Sequence, residues 1–143
     1  MKFQIELKDN VHLTPELAQK TIKNFLQISS NELTSQIKKK TPVDYGKLRG
    51  SWTSKQSREQ LRITNSRNYA VFVEKGTGIY GENSGLIFPK TANVLHANIN
   101  GEEVFFKHSK GQKGKHMAEK GLEAYSIKIP NLFRTAYRQA RGK

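Results

Sequence analysis

One stretch near the N-terminus constrains the fold more than any other, because it carries both ends of a long amphipathic helix. Thr14-Pro15-Glu16 has the pattern of a helix start: a hydroxyl N-cap, a proline at the first helical position and an acid in the first turn. Pro42 ends the pattern, since the residue before a proline is pushed out of the helical region. The sequence therefore predicts a helix over about 14–39. Its apolar face follows helical spacing through Ala18, Ile22, Leu26, Leu33 and Ile37.

Short apolar runs farther along the chain predict strands. A strand is expected at 2–6, and the alternating runs 51–56 and 60–65 predict a hairpin with Trp52 facing inward. A second hairpin is expected over 93–107, because Asn100-Gly101 between apolar runs is a strong signal for a tight turn.

The C-terminal third predicts two helices. Segment 117–125 has the pattern of a short helix that contains a glycine, and Pro130-Asn131 opens a last helix. Segment 69–76 is compatible with a strand or with a single helical turn. Together the elements predict an α+β architecture: a long N-terminal helix packed on an antiparallel β-sheet with a C-terminal helix. A length of 143 residues favours one domain spanning 1–143.

Charge and composition bound the function. The chain has 25 Lys plus Arg against 12 Asp plus Glu, a net charge of +13, which favours a polyanionic partner or serves only to keep the surface solvated. Cysteine is absent, so disulfides, a Cys-ligated zinc site and a cysteine nucleophile are excluded. We expect no membrane span and no secretory signal, because the sequence has no apolar run of the length that either requires.

Nothing in the sequence predicts an enzyme or a cofactor. Segment 76–81 matches the G-x-G-x-x-G pattern of dinucleotide sites, but no helix pattern follows it, so 76–85 is expected to be a flexible loop. The four histidines lack the spacing of a helical zinc pair, and there is no nucleophile elbow. The prediction is a non-enzymatic protein.

The basic segment 107–116 is the clearest candidate for contact with a polyanion. We expect an exposed, mobile loop that contacts a partner subunit or the phosphates of DNA through Lys107, Lys110, Lys113 and Lys115. Phe105, Phe106 and Tyr125 flank the loop and could stack on bases, although one of the two phenylalanines is expected in the core. The last helix offers a second basic face at Arg134, Arg138 and Arg141. A small nucleic-acid-binding module is therefore the alternative to a purely structural protein.

Three spaced motifs carry a family resemblance. TPVDYGKLRGSW (41–52) resembles the T-P-V-D-x-G-x-L-R-x-S-W signature of the tail-component family of long-tailed bacteriophages. NYAVFVEKGTG (68–78) and IFPKTANVLHANINGEEVFFK (87–107) resemble two further segments of that family. The resemblance extends over about 14–143. It departs from the family in the long segment 79–116, expected to be a flexible inserted hairpin and basic loop, and in the absence of the C-terminal F-L-R-P-A phrase.

The resemblance implies a virion structural protein of a phage or prophage. Such proteins act at the head–tail junction or tail end, as neck, tail-completion or minor tail proteins. It implies a ring of copies, expected to be hexameric, that meets neighbouring connector, tail-terminator or tail-tube proteins and DNA at the joint, with no membrane partner. It places the protein in the virion, assembled in the bacterial host cytoplasm.

The motif residues are expected to be structural. Leu48 and Trp52 would anchor a turn in the core, Tyr69 and Phe72 would pack, and Glu74 would pair with Arg49 or with a neighbouring subunit. The complete set of motif residues is Thr41, Pro42, Asp44, Gly46, Leu48, Arg49, Trp52, Tyr69, Glu74, Gly76 and Thr77.

Overall fold

A computed structural model describes residues 13–43 and 46–142, and these residues form an α+β fold. The helices are α1 (Pro15–Lys40), α2 (Lys47–Gly50), α3 (Ala70–Lys75), α4 (Met117–Ser126) and α5 (Ile129–Arg141). The strands are β1 (Trp52–Gln56), β2 (Leu61–Asn65), β3 (Leu95–Ile99) and β4 (Glu102–Phe106). The predicted fold class is confirmed, with the strands in two separate two-stranded antiparallel sheets. The strand expected at 2–6 lies outside the described residues.

The chain divides into two compact units. The first unit combines the described residues up to Asn65 with those from Ala118 onward, and holds α1, β1, β2 and α5. The second unit is Ser66–Met117 and holds α3 with the β3–β4 hairpin. The expectation of one domain over 1–143 stays a prediction.

The predicted ends of α1 are confirmed. The Thr14 hydroxyl accepts a hydrogen bond from the Leu17 amide at 3.2 Å, and Pro15 is the first helical residue. At the other end Thr41 is extended, and its amide donates to the Ile37 carbonyl at 3.0 Å. Local capping chemistry therefore sets both ends, as the sequence indicates.

The predicted apolar face of α1 is partly wrong. Ile22 is 43% exposed, whereas Ile37 and four polar residues are buried: Thr21, Ser29, Ser30 and Gln36. A buried hydroxyl is tolerated on a helix when it bonds a carbonyl one turn back, and Thr21 donates to the Leu17 carbonyl at 2.7 Å. The small side chains of this face allow close packing of the elements that cover it.

Helices α4 and α5 supply much of the core of the first unit. Phe25 of α1 and Phe133 of α5 meet edge to face with ring centroids 5.7 Å apart. Ala136 is fully buried, and the Asn24 side chain of α1 donates to its carbonyl at 3.4 Å. Gly121 of α4 lies against Ile37, where an added Cβ would come within 2.7 Å of the Ile37 Cα. The side of α5 that carries Ala136 and Ala140 is buried, and Arg134, Arg138 and Arg141 are exposed.

Both predicted hairpins are confirmed. β1 pairs with β2 in the register Trp52↔Asn65, and β3 pairs with β4 in the register Leu95↔Phe106. Asn100 and Gly101 have φ of 56° and 92°, the left-handed backbone that the turn between β3 and β4 requires. The ambiguous segment 69–76 forms the short helix α3.

An ion pair between α1 and the start of α5 makes stability depend on pH. The Lys128 ammonium and the Gln36 amide both donate to Glu32 Oε1 at 2.6 Å, and they hold the pKa of Glu32 below its ordinary value of 4.5. Because the folded pKa is the lower one, the stabilisation is present above pH 4.5 and is lost as the pH falls through the folded pKa.

We expect Glu32→Gln to make the free energy of unfolding depend less on pH in the acid range. From about pH 6 down to about pH 3, the free energy of unfolding of the wild type should fall more steeply than that of the variant. Urea titrations across this range measure it. Glu59→Gln, in the β1–β2 turn, is the control and should keep the wild-type pH dependence. Parallel curves for wild type and Glu32→Gln would show that the pair makes no contribution.

Candidate functional site

The motif at 41–52 ties the end of α1 to α2 and β1. Thr41 is 1% exposed; its hydroxyl accepts from Trp52 Nε1 at 2.9 Å and donates to the Ile37 carbonyl at 2.8 Å. Arg49 Nη2 donates to the Thr41 carbonyl at 3.1 Å. The motif residues therefore meet around one buried threonine.

Two further motif residues complete this junction. Leu48 is buried, and its carbonyl accepts from the Asn65 side chain at 3.0 Å. Gly46 has φ of 69° with open space around it, so the backbone conformation is what calls for glycine there. Asp44 lies outside the described residues. The proposed structural role of this motif agrees with these contacts and stays a prediction.

An open groove runs beside the C-terminal half of α1. Its volume is about 460 Å³, and it is lined by Asn31, Thr34, Ser35, Lys38, Lys39, Arg49 and Ser54. All seven side chains belong to the first unit. We call it the donor groove, because every side chain in the described lining can donate a hydrogen bond and none is a carboxylate.

The basic segment 107–116 is not a free loop. Its backbone runs antiparallel to 73–87 and is joined to it by hydrogen bonds between main-chain atoms, an arrangement that we call the clasp. The bonds are Thr77 N to Gln112 O (2.9 Å), Ile79 N to Lys110 O (3.0 Å), Lys115 N to Val73 O (2.8 Å), His116 N to Glu74 O (3.1 Å) and the reciprocal pair of Ile87 with Ser109 (2.8 and 2.9 Å). The expected mobility of this loop stays a prediction.

Glycines let the two backbones of the clasp approach. A Cβ on Gly78 would lie 2.2 Å from the Lys110 carbonyl oxygen, and one on Gly111 would lie 2.2 Å from that of Thr77. A Cβ on Gly76 or Gly114 would also meet backbone atoms, at 2.7 and 2.5 Å. The G-x-G-x-x-G pattern is thus explained by close packing of the chain against itself.

The lysines predicted to contact a partner lie on the surface of the clasp. Lys107, Lys110, Lys113 and Lys115 are all exposed, and Lys113 Nζ lies 5.7 Å from the centroid of the Tyr80 ring. Their role in binding a subunit or DNA stays a prediction.

Two expectations about aromatic residues are wrong. Tyr69 and Phe72 are 41% and 55% exposed, so neither is a buried anchor. Tyr125 is only 5% exposed, and burial raises the pKa of its hydroxyl, so it cannot stack on a base. Of the two phenylalanines beside the basic loop, Phe105 is exposed and stacks on His96, whereas Phe106 is half-buried, as the strand alternation indicates.

Exposed apolar side chains are concentrated in the second unit. Of the fifteen large apolar residues exposed in the described parts of the chain, eleven lie within Ser66–Met117. Four of them, Val71, Phe72, Leu86 and Ile87, line a groove of about 570 Å³, which we call the apolar groove. A Lys75–Glu82 ion pair of 2.5 Å lies among its lining residues. Exposed apolar surface of this kind is typical of sites that bind a protein, a membrane or a ligand.

Positive charge is concentrated in the first unit. Its described residues hold 15 Lys plus Arg and 5 Asp plus Glu, a net +10, against 7 and 4, a net +3, in the second unit. The predicted basic loop therefore belongs to the less basic unit.

The donor groove has a weak signal in the sequence. Polar residues stand at positions 31, 34, 35 and 38, which is helical spacing, but the same spacing is equally typical of a solvated helix face.

The described residues contain no recognisable metal site and no spanning helix. They include no group of three or more His, Asp or Glu side chains placed to hold a metal ion. None of the helices in residues 13–43 and 46–142 is both long and apolar enough to cross a membrane.

The chain matches a known protein family. A family model described as "Bacteriophage HK97-gp10, putative tail-component" matches residues 5–76, half of the chain. The match includes the 41–52 motif and ends at Gly76, before the β3–β4 hairpin and the clasp lysines. No curated protein and no solved structure matches the chain significantly.

Proposed function

The chain belongs to this family of phage tail components, and from that we propose that it is a non-enzymatic ring subunit at the head–tail junction or tail end. Membership makes it a structural protein of the virion. The finer proposal is that it acts as a neck or tail-completion protein, in a ring whose expected symmetry is sixfold, next to connector, tail-terminator or tail-tube proteins.

The apolar surface of the second unit carries this proposal. Phe72 and Phe88 are 55% and 60% exposed, and the apolar groove offers a concave seat for a neighbouring copy. A ring forms when one surface of a subunit repeatedly meets a different surface of the next. Burying the exposed half of each such phenylalanine stabilises a contact by about 1 kcal/mol, so several exposed apolar side chains together can hold a ring.

The clasp explains how such a small unit can present this surface. A two-stranded hairpin alone is marginally stable in water. In this unit the backbone hydrogen bonds of the clasp join 73–87 to 109–116, one on each side of the β3–β4 hairpin in sequence. The groove residues Leu86 and Ile87 are thereby connected to the rest of the unit.

We expect Phe72→Ser combined with Leu86→Ser to abolish ring assembly. Each substitution removes apolar area from the groove. Because both side chains are only about half exposed, the two substitutions together cost roughly 1.5–3 kcal/mol, which weakens every interface by at least about tenfold. The measurement is the molar mass by light scattering of the protein co-expressed with the other tail proteins of its phage or prophage, together with its recovery in purified tails.

A matched control separates the groove from general surface hydrophobicity. Ile127, in the first unit, is 80% exposed, and Ile127→Ser should assemble like the wild type. Unchanged incorporation of the double variant into tails, with circular dichroism confirming its fold, would overturn the assignment of the interface. Absence of the wild-type protein from tails would overturn the proposed function itself.

A further inference from the structure

We propose that the donor groove of the first unit binds the phosphate backbone of duplex DNA. This inference deepens the proposed function, on which it rests, because it names a partner for the protein other than neighbouring tail proteins. It places DNA on a surface distinct from the basic loop and from the arginine face of α5.

The groove has the form of a linear track. Four of its residues lie at i, i+3, i+4 and i+7 on one side of α1, from Asn31 to Lys38, a span of about 10 Å. Lys39 extends the lining at the C-terminal end of the helix. Arg49 from α2 and Ser54 from β1 complete it, so that three different elements contribute donors.

The chemistry of the lining favours phosphate over an acidic protein. Six side chains of the lining are of the types that contact phosphate oxygens in protein–DNA complexes: Asn31, Ser35, Lys38, Lys39, Arg49 and Ser54. The described lining has no aromatic residue, although tryptophan and tyrosine, together with arginine, dominate the energetics of protein–protein contacts. It also has no carboxylate that would repel a phosphate.

Hydrogen bonds around the groove hold two of these donors in place. The Arg49 side chain is fixed at Nη2 by the Thr41 carbonyl, and its Nε is buried without an acceptor among the described residues. Ser54 Oγ accepts a 2.7 Å hydrogen bond from Ser30, which leaves its own hydroxyl proton to donate elsewhere. The Thr34 hydroxyl differs, because it already donates its proton to the Ser30 carbonyl at 2.7 Å.

The distribution of charge points to the same unit. The described residues of the first unit carry a net +10 and those of the second +3. A surface of high positive charge attracts DNA over about a Debye length, roughly 8 Å at physiological salt, before any direct contact forms. The donor groove lies on the more strongly attracting unit.

Three matched double variants of the full chain test the assignment. Lys38→Gln/Lys39→Gln removes two charges from the groove. Lys20→Gln/Lys23→Gln removes two exposed charges from the same helix outside the groove, and Lys110→Gln/Lys113→Gln removes two from the clasp. The readout is fluorescence anisotropy of a labelled duplex of about 20 base pairs, measured across a series of salt concentrations.

We expect only the groove variant to lose phosphate contacts. The slope of log affinity against log salt should become shallower by about 1.8, and affinity at low salt should fall about tenfold or more. The two control variants should keep the wild-type slope and lose less than about threefold. The affinity of the wild type should be the same for duplexes of different sequence, because phosphate contacts carry no base readout.

Several outcomes would overturn the proposal. An equal decrease of the salt slope in all three variants would mean that DNA is attracted diffusely. A decrease only in the clasp variant would place the binding site at the basic loop. If the wild type bound no duplex, DNA would not be a partner. Binding of polyglutamate with the same dependence on Lys38 and Lys39, and tighter than duplex, would assign the groove to an acidic protein. Recovery of the groove variant in tails is scored separately, so failure of DNA binding and failure of the structural role can be told apart.

Discussion

Gly78→Ala is expected to open the clasp. A Cβ at this position would lie 2.2 Å from the Lys110 carbonyl oxygen, and the backbone φ is +64°, so the substitution adds both a steric clash and left-handed strain. Strain of roughly 1–2 kcal/mol and overpacking of about 1–3 kcal/mol together destabilise the clasp by roughly 2–5 kcal/mol. The clash is with backbone, which no side-chain rotation relieves.

Amide hydrogen exchange measures the opening directly. The amides of Thr77 and Ile79 donate across the clasp, and their exchange should accelerate by at least about tenfold in the variant. Gly101→Ala is the matched control within the same unit: its φ is +92° but nothing lies within 4 Å of an added Cβ, so it adds strain alone. Protection of Thr77 and Ile79 that survives in Gly78→Ala would show that the two backbones are not in contact.

Gly121→Ala is expected to destabilise the first unit although alanine is the better helix former. An added Cβ would lie 2.6 Å from Ile37 Cγ1 and 2.7 Å from Ile37 Cα, too close for either atom to remain in place. Overpacking costs about 1–3 kcal/mol, and the higher helix propensity of alanine returns about 1 kcal/mol. The net expectation is a loss of up to about 2 kcal/mol, with a larger loss for Gly121→Leu.

Urea unfolding monitored by circular dichroism provides the test. Gly50→Ala is the control, because Gly50 has ordinary φ and open space, and the substitution should be neutral or stabilising by up to about 1 kcal/mol. If Gly121→Ala proved as stable as Gly50→Ala, the close approach of α4 to α1 would be refuted.

The two glycine positions show why a sequence motif can mislead about function. Gly76, Gly78 and Gly81 have the spacing of a dinucleotide-binding turn, yet each faces backbone of its own unit. The segment that crowds Gly76 and Gly78 lies more than 30 residues farther along the chain, around Lys110–Gly114. No local pattern in 76–85 could have predicted that contact.

The family motif at 41–52 was a better guide to structure, because its residues are close together in the sequence. Thr41, Arg49 and Trp52 lie within twelve residues, and a helix end followed by a turn brings them together at one buried hydroxyl. The resemblance through 41–52 was therefore informative about both the family and the local structure. It did not indicate that Arg49 also lines the donor groove, since that requires α1 and β1 beside it.

The sequence by itself determined the features that depend on near neighbours. Both ends of α1 follow from the hydroxyl cap of Thr14 and from Pro42, and the turn at Asn100-Gly101 follows from two residues that accept positive φ. The excess of positive charge and the family membership also follow from the sequence alone.

Only the tertiary structure decided which surfaces are buried and which can bind. Thr21 and Ser30 of α1 are inside while Ile22 is outside. The Thr21 hydroxyl bonds to the Leu17 carbonyl of its own helix and the Ser30 hydroxyl bonds to Ser54 of β1, so neither is costly to bury, and both side chains are small enough to admit a close neighbour. The clasp and the donor groove join residues that are distant along the chain, and such contacts depend on backbone approach and packing that no local pattern encodes.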